Sequence, residues 1–333
     1  MIESGYMGLE AVSSISASQN NKAKSPLVSI VCITYNHDRF VSKTLESFLS
    51  QRTNFSFEVV IGDDCSIDLT SEIINTYVEQ YPSIIKPIIR HENIGMGANL
   101  IDCFNRCQGQ YIAICEGDDY WLSSDKLQTQ VDLMTEYRDI NISFHSSYAV
   151  EEGQLKKNKI FANYGDKLKF FSLNDVITGG GGFMPTQSLM LRSEILKHAP
   201  DWFYEYPIDY FIQILGSVSN GALYIPSVFA AYRVNVQNSW SAQQHDMSIQ
   251  QSRETLSKEK MALLNLKELG VSESVINKAI AISTFKAFSR KLKIHGLVRS
   301  LSTRYKYINP GKILSIASLI CHPFFKLFGK TKK

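Results

Sequence analysis

Short continuous apolar runs take turns with apolar positions at helical spacing through the first 122 residues, and polar stops punctuate the chain. Residues 28–34 (V-S-I-V-C-I-T) form a short, β-rich apolar run that stops at Tyr35-Asn36-His37-Asp38. Beyond that stop, Phe40, Val41, Leu45, Phe48 and Leu49 recur at the spacing of one helical face. The pattern then predicts a strand over 57–62 ending at Asp63-Asp64, a helix over about 69–81, a strand over 84–89 and a helix over about 98–107. A fourth strand, 111–115, runs into Glu116-Gly117-Asp118-Asp119. A helix follows, with Ser124 as its N-cap and Leu127, Val131 and Met134 on one face.

Strand–helix alternation with short loops predicts an α/β fold with a mostly parallel, doubly wound sheet. Its ligand site should lie beyond the carboxyl ends of the strands, where all three polar clusters fall. The second half is less regular. It predicts a strand over 142–150, a polar hairpin or loop over 151–159, a strand over 188–192 and a helix over 210–218 with Asp209 at its start. Two apolar stretches, 223–225 and 228–234, end the sheet region, and long helices are expected over about 245–269 and 273–294. Four glycines, 179–182, precede Phe183-Met184-Pro185 and suit either a flexible loop or a plain linker.

Charge changes the picture at one end. The net charge of the 333 residues is +3, but thirteen of the 35 Lys and Arg follow Glu273, the last acidic residue. Residues 1–273 therefore carry −10 and the remainder +13, and a basic tail favours an anionic partner. Residues 313–328 are apolar but interrupted by His322, Pro323 and Lys326, whereas a membrane-spanning helix needs about 20 apolar residues. An interfacial helix flanked by Lys312, Lys326, Lys330, Lys332 and Lys333 fits better; a tail helix docked on the rest of the chain is the alternative. Residues 1–25 read as a polar leader without the pattern of a secretion signal. The six cysteines form no Cys-x-x-Cys pair, and Cys32 and Cys115 lie in apolar runs as small hydrophobes, so a reducing, cytoplasmic setting is expected.

Candidate chemistry concentrates in the acidic clusters. Glu116, Asp118 and Asp119 repel one another, and keeping them ionised takes a cation or hydrogen-bond donors. A hard divalent ion with oxygen ligands, Mn²⁺ or Mg²⁺, meets that need and shares its sphere with substrate phosphates. A solvated acidic turn is the plainer reading. Asp64 suits a hydrogen bond to a base or ribose, although Asp64 or Ser66 also suits the N-cap of the helix near Leu69. Tyr35 is either a rim aromatic or a platform for a nucleobase, and Asp209 on its own reads as the N-cap of its helix. Thr186-Gln187-Ser188, Trp202, Tyr204 and Tyr206 line an acceptor or form a core edge, and Ser239-Trp240 is a candidate lid.

Together, residues 28–36, Val59-Val60-Ile61-Gly62-Asp63-Asp64-Cys65-Ser66-Ile67-Asp68, Asn93-Ile94-Gly95, residues 111–121, Pro207-Ile208-Asp209-Tyr210 and Ala231-Tyr232-Arg233 resemble family 2 glycosyltransferases of the GT-A fold. The likeness covers about residues 26–240. It implies an inverting, metal-dependent hexosyl- or N-acetylhexosaminyltransferase that takes its sugar from a nucleoside-diphosphate donor, commonly a UDP-sugar. Tyr35 would stack on the nucleobase and Asp64 would hydrogen-bond it. Asp118 and Asp119 match the ribose and metal carboxylates, in interchangeable roles, and Asp209 matches the catalytic base. Relatives often carry His, sometimes as a metal ligand, where this chain has Asn235, so either water or His245 would complete the metal shell or the metal would be bound more weakly.

These readings divide the chain into a leader (1–25), a glycosyltransferase domain (26–240, with halves 26–122 and 123–240), a helical extension (241–308) and a basic membrane-associating tail (309–333). The expected acceptor is a saccharide or lipid-linked saccharide of a surface polysaccharide or O-antigen precursor, met on the cytoplasmic face of an anionic membrane. A sugar nucleotidyltransferase would want a Gly-rich, basic loop after the first strand, and Thr34-Tyr35-Asn36-His37 is not one. A non-catalytic, membrane-associated nucleotide-sugar-binding protein would not need Asp64, Asp118, Asp119 and Asp209 together, and no nucleic-acid partner is expected of a cleft poor in basic residues.

Overall fold

A computed structural model of the chain describes residues 25–234, 236 and 247–291. The leader, Asn235, Ser239-Trp240, His245 and the tail lie outside the described residues. β1 (Val28–Thr34), α1 (Val41–Leu49), β2 (Phe57–Asp63), α2 (Thr70–Gln80), β3 (Ile85–Ile89), α3 (Met96–Arg106) and β4 (Tyr111–Ile114) follow the predicted alternation to within two residues at almost every boundary. Beyond β4 come β5 (Tyr120–Trp121), α4 (Lys126–Glu136), β6 (Ile142–Glu151), β7 (Gln154–Phe161), β8 (Lys169–Phe171), α5 (Leu173–Gly179), β9 (Met190–Arg192), α6 (Glu194–Lys197), α7 (Asp201–Glu205), α8 (Asp209–Ser217) and β10 (Ala222–Arg233). Two helices close the described chain, α9 (Ile249–Asn265) and α10 (Glu273–Lys291).

One sheet runs in the order β3-β2-β1-β4-β9-β6-β10-β5, with β7 against β6 and β8 against β10. The four strands from β3 to β4 are parallel, while β9 inserts antiparallel between β4 and β6 and makes the second half mixed. Successive strands step from β1 to β2 and β3, and the chain then crosses back to place β4 on the other side of β1. The carboxyl ends of β1 and β4 therefore flank the point where the winding reverses, the place where such sheets bind ligands.

Both faces of the sheet are covered, as parallel strands require. Val28, Ile30 and Cys32 point to a core with α1, α2 and α4, and Val31 and Ile33 point to a second core with α3, α5 and α8. Leu127, Val131 and Met134 face the first core as predicted. The second core extends into α9 and α10 through Ala262, Leu263, Ile276 and Ala279. Phe144 anchors it, packed among Tyr164, Phe171, Phe183 and Tyr224 with ring centroids 5.5–6.1 Å away.

Several expectations change on folding. The two apolar stretches before residue 234 are one strand, β10, whose pairing with β6 is broken by bulges around Pro226. Asp125, not Ser124, occupies the N-cap position of α4, without a side-chain cap. Neither Asp64 nor Ser66 caps α2; the Asp68 carboxylate accepts from the Thr70 N–H at 3.0 Å instead. α5 was not expected, yet Ser172 and Asp175 form a reciprocal capping box at its start. The hairpin over 151–159 is real, with Glu152 and Gly153 both at positive φ in the tight turn between β6 and β7. Among the described residues, no helix is long and apolar enough to cross a membrane.

Truncating the fully buried ring at Phe144→Ala should cost about 3–5 kcal/mol of unfolding free energy, read by urea denaturation of the full chain. A loss below about 1 kcal/mol would show that this aromatic cluster is not a tightly packed core.

Candidate active site

The acidic turn leaves the end of β4 as a tightly held loop. The Cys115 N–H donates to the Val31 carbonyl at 3.0 Å and the Gly117 N–H to the Ile33 carbonyl at 2.9 Å, prolonging the β1 pairing past the strand's end. Only glycine fits at 117, because a Cβ there would meet Thr34 Oγ1 at 2.5 Å and His37 Nδ1 at 3.0 Å. Thr44, one turn into α1, places its hydroxyl 2.9 Å from the Gly117 carbonyl and 2.6 Å from that of Asp119. On the other side, the Arg233 N–H at the end of β10 donates to Asp119 Oδ1 at 2.7 Å.

This bracing brings Glu116, Asp118 and Asp119 together with one ligand atom from each within 4.8 Å of the others. Asp118 and Asp119 are buried and Glu116 is half-buried. Asp119 Oδ2 is sealed from solvent and has no hydrogen-bond partner, a costly state for a carboxylate oxygen. Burial and the Asp118 charge hold the Asp119 carboxyl well above the usual range, and burial, then Asp118 and Asp209, push Glu116 up to about 8. A site that strains its own acids in this way fits a divalent cation with oxygen ligands.

Asp209 opens α8 without serving as its N-cap, which is Ile208. Its Oδ2 accepts from the Thr186 hydroxyl at 2.8 Å and its Oδ1 from the Tyr210 N–H at 2.7 Å. Burial raises its pKa above the ordinary value, and its charge reaches Glu116. The glycine run lies beside it, a Cβ on Gly181 falling 3.8 Å from Asp209 Oδ1.

Asp64 and Tyr35 occupy the ends of β2 and β1. The Asp64 N–H donates to the Thr34 carbonyl at 3.0 Å, and its carboxylate accepts from the Ile94 and Gly95 N–H groups at 2.8 and 2.9 Å. That carboxylate thus ties the Asn93-Ile94-Gly95 loop to the sheet. Tyr35, next to Thr34, is 36% exposed, enough ring surface for a ligand to cover.

The carboxyl ends of β2, β1 and β4 therefore bring Tyr35, Asp64, Asp118 and Asp119 to one edge, with Asp209 in electrostatic reach of Glu116. Other candidates separate. Trp202 is buried against Phe211, with centroids 5.5 Å apart, and belongs to the core; Gln187 and Ser188 are also interior. Of that group Thr186 touches Asp209. Sequence reasoning missed Thr44 and the bracing role of Arg233, and named Thr186 only as a lining or core-edge candidate, not as a partner of Asp209. Nothing at their positions signals contacts made 23 or more residues away.

A family model described as glycosyl transferase family 2 matches residues 29–199. The chain belongs to that family. An uncharacterised protein of Mycobacterium tuberculosis is 31% identical over 217 residues, 64% of this chain and 60% of its own, so the present chain spans about three fifths of that relative's length. TuaG of Bacillus subtilis, a glycosyltransferase named for teichuronic acid biosynthesis, is 35% identical over 111 residues, 33% of this chain and 43% of TuaG. Among solved structures, Staphylococcus aureus TarS 1-349 with UDP superposes with a TM-score of 0.57 at 18% identity, covering 79% of this chain and 72% of TarS. The mannosyltransferase PcManGT of Pyrobaculum calidifontis with GDP-Man and Mn²⁺ gives 0.54 at 14% identity, covering 93% and 89%. These superpositions show that this chain shares its fold with a protein solved with UDP and another solved with GDP-Man.

The raised carboxyls set the sign of a pH effect. Each binds its proton more tightly when folded, so the stability it contributes is complete below its unfolded pKa and is lost as pH rises through the folded value, about 8 for Glu116. The melting temperature of metal-free protein should therefore fall from pH 5 to pH 8.5, and millimolar Mn²⁺ should flatten the fall in a thermal-shift series. A flat metal-free profile would contradict the crowding of these acids.

Proposed function

We propose that this family 2 glycosyltransferase is metal-dependent and inverting, and moves a sugar from a nucleoside-diphosphate donor, first a UDP-sugar, to a hydroxyl of a lipid-linked or surface polysaccharide precursor. The observation that carries the reading is the buried, unpartnered Asp119 Oδ2 inside a cluster of three carboxylates at the winding reversal of the sheet. Asp119 and Asp118 fit as holders of Mn²⁺ or Mg²⁺. What such a cation supplies when bound is neutralisation of charge on the departing diphosphate. TarS with UDP and PcManGT with GDP-Man and Mn²⁺ support the donor class, and TuaG supports a polysaccharide acceptor.

The chain's own groups divide the remaining work. The exposed Tyr35 ring stacks on the nucleobase, a contact worth about 1–3 kcal/mol in comparable base–aromatic pairs. Asp64, fixed by two backbone N–H groups, still has lone pairs for a donor on the base edge, and Asp118 takes the ribose. Asp209 removes the proton from the acceptor hydroxyl as it attacks the anomeric carbon from the side opposite the diphosphate. Thr186 and the Tyr210 N–H fix the direction of that carboxylate, and its raised pKa makes it a stronger base than an exposed aspartate.

The basic tail supports a membrane-bound acceptor. Residues 309–333 pair an apolar stretch with Lys312, Lys326, Lys330, Lys332 and Lys333, a pattern suited to an anionic lipid surface on the cytoplasmic side. Removing residues 309–333 should release the protein from anionic vesicles in a flotation assay; unchanged flotation would refute a tail anchor.

Asp209→Asn should lower donor-to-acceptor turnover by about 10²–10⁴-fold while leaving nucleotide affinity within about twofold, as measured by product formation and calorimetry. Turnover close to the wild-type rate would remove Asp209 from the role of base. A screen of nucleotide sugars for Mn²⁺-dependent hydrolysis identifies the donor.

A further inference from the structure

A ladder of cations and aromatic rings runs behind the acidic turn. The Arg233 guanidinium carbon lies 4.6 Å from the centroid of the Tyr120 ring and 4.8 Å from that of Phe40. Lys43 Nζ sits 3.9 Å from the Tyr120 centroid and the Arg39 guanidinium 5.8 Å from that of Phe40. Arg233 is 8% exposed, so its charge is felt at close range rather than dissipated in water. Its Nη1 donates to the Asp118 carbonyl while its backbone N–H donates to Asp119 Oδ1. One residue thus grips two successive aspartates, one through its side chain and one through its main chain.

We propose that Arg233 is a positioning residue for the metal carboxylates: clamped between Phe40 and Tyr120, it holds Asp118 and Asp119 so that Asp119 Oδ2 is left open for the cation. The inference rests on the divalent-cation reading given above. Its physical logic has three parts. The N–H bond occupies Oδ1 and leaves Oδ2 as the carboxylate's free oxygen. The buried guanidinium offsets the mutual repulsion of Glu116, Asp118 and Asp119 before any cation arrives. Both rings lie within 4.8 Å of the guanidinium carbon, a contact that suits a planar, weakly hydrated cation better than the compact ammonium of lysine.

Partners that orient ligating groups without ligating typically account for about 10–100-fold in metal affinity. The test uses the full chain, MnCl₂ followed by the paramagnetic resonance of free Mn²⁺, and UDP binding without metal by calorimetry. Arg233→Lys should weaken Mn²⁺ binding by about 10–100-fold while metal-free UDP affinity falls far less, since Tyr35 and Asp64 are untouched and only the Asp118 contact to the ribose depends on Arg233. A merely structural role would move both together, and that result would overturn the proposal, as would Mn²⁺ affinity within about twofold of wild type. Phe40→Leu, which removes one side of the clamp and keeps Arg233, should give a smaller loss of the same kind and serves if Arg233→Lys misfolds. Asp119→Asn separates the two readings. If wild type binds Mn²⁺ no better than Asp119→Asn, the cation reading itself fails; if Asp119→Asn abolishes binding and the Arg233 and Phe40 variants do not weaken it, the positioning role alone fails.

Discussion

Repulsion among Glu116, Asp118 and Asp119 is the constraint around which this end of the molecule is organised. The turn that carries them continues β4, so it cannot move away without unzipping the pairing to β1 through Cys115 and Gly117. Neighbouring elements hold it by its backbone. Thr44 engages carbonyls from one side, Arg233 from the other, and Gly117 lets Thr34 and His37 approach where a side chain would stand. The carboxylates are thereby held against one another rather than relaxed into solvent, and the shifted proton affinities follow from that restraint.

Parallel strands explain why the restraint is possible. β1 and β4 are buried on both faces, so their carboxyl ends are rigid, and the winding reverses between them. Tyr35, Asp64 and the acidic turn each stand one to five residues past a strand end, and this short leash converts distance along the chain into proximity in space. Asp209 reaches the same region from the start of α8, with its carboxylate tied to Thr186.

The first half of the fold was legible because its signals are local: apolar runs, helically spaced apolar positions and polar stops each occupy about a dozen residues. The carboxylates were legible for the same reason, as they directly follow apolar strands. What was hidden depends on pairing between distant segments. Arg233 meets Asp119 across 114 residues, and the register that aligns them comes from the antiparallel pairing of β5 with β10. The single strand β10 was read as two because Pro226 interrupts the apolar pattern, whereas a bulge absorbs that break in the folded sheet. α5 was missed although its capping box is written in Ser172 and Asp175, because the helix is too short to develop an apolar period.

The last two helices are less separable from the catalytic part than their position in the chain suggests. α9 and α10 pack on α7 and α5 and lend Ala262, Leu263, Ile276 and Ala279 to the core that also holds Val176 and Tyr210. A chain cut at the end of β10 would open that shared core to water just behind Asp209. Solubility, cooperative unfolding and the placement of the Asp209 carboxylate would then fail together, which makes this helical pair a buttress of the candidate site.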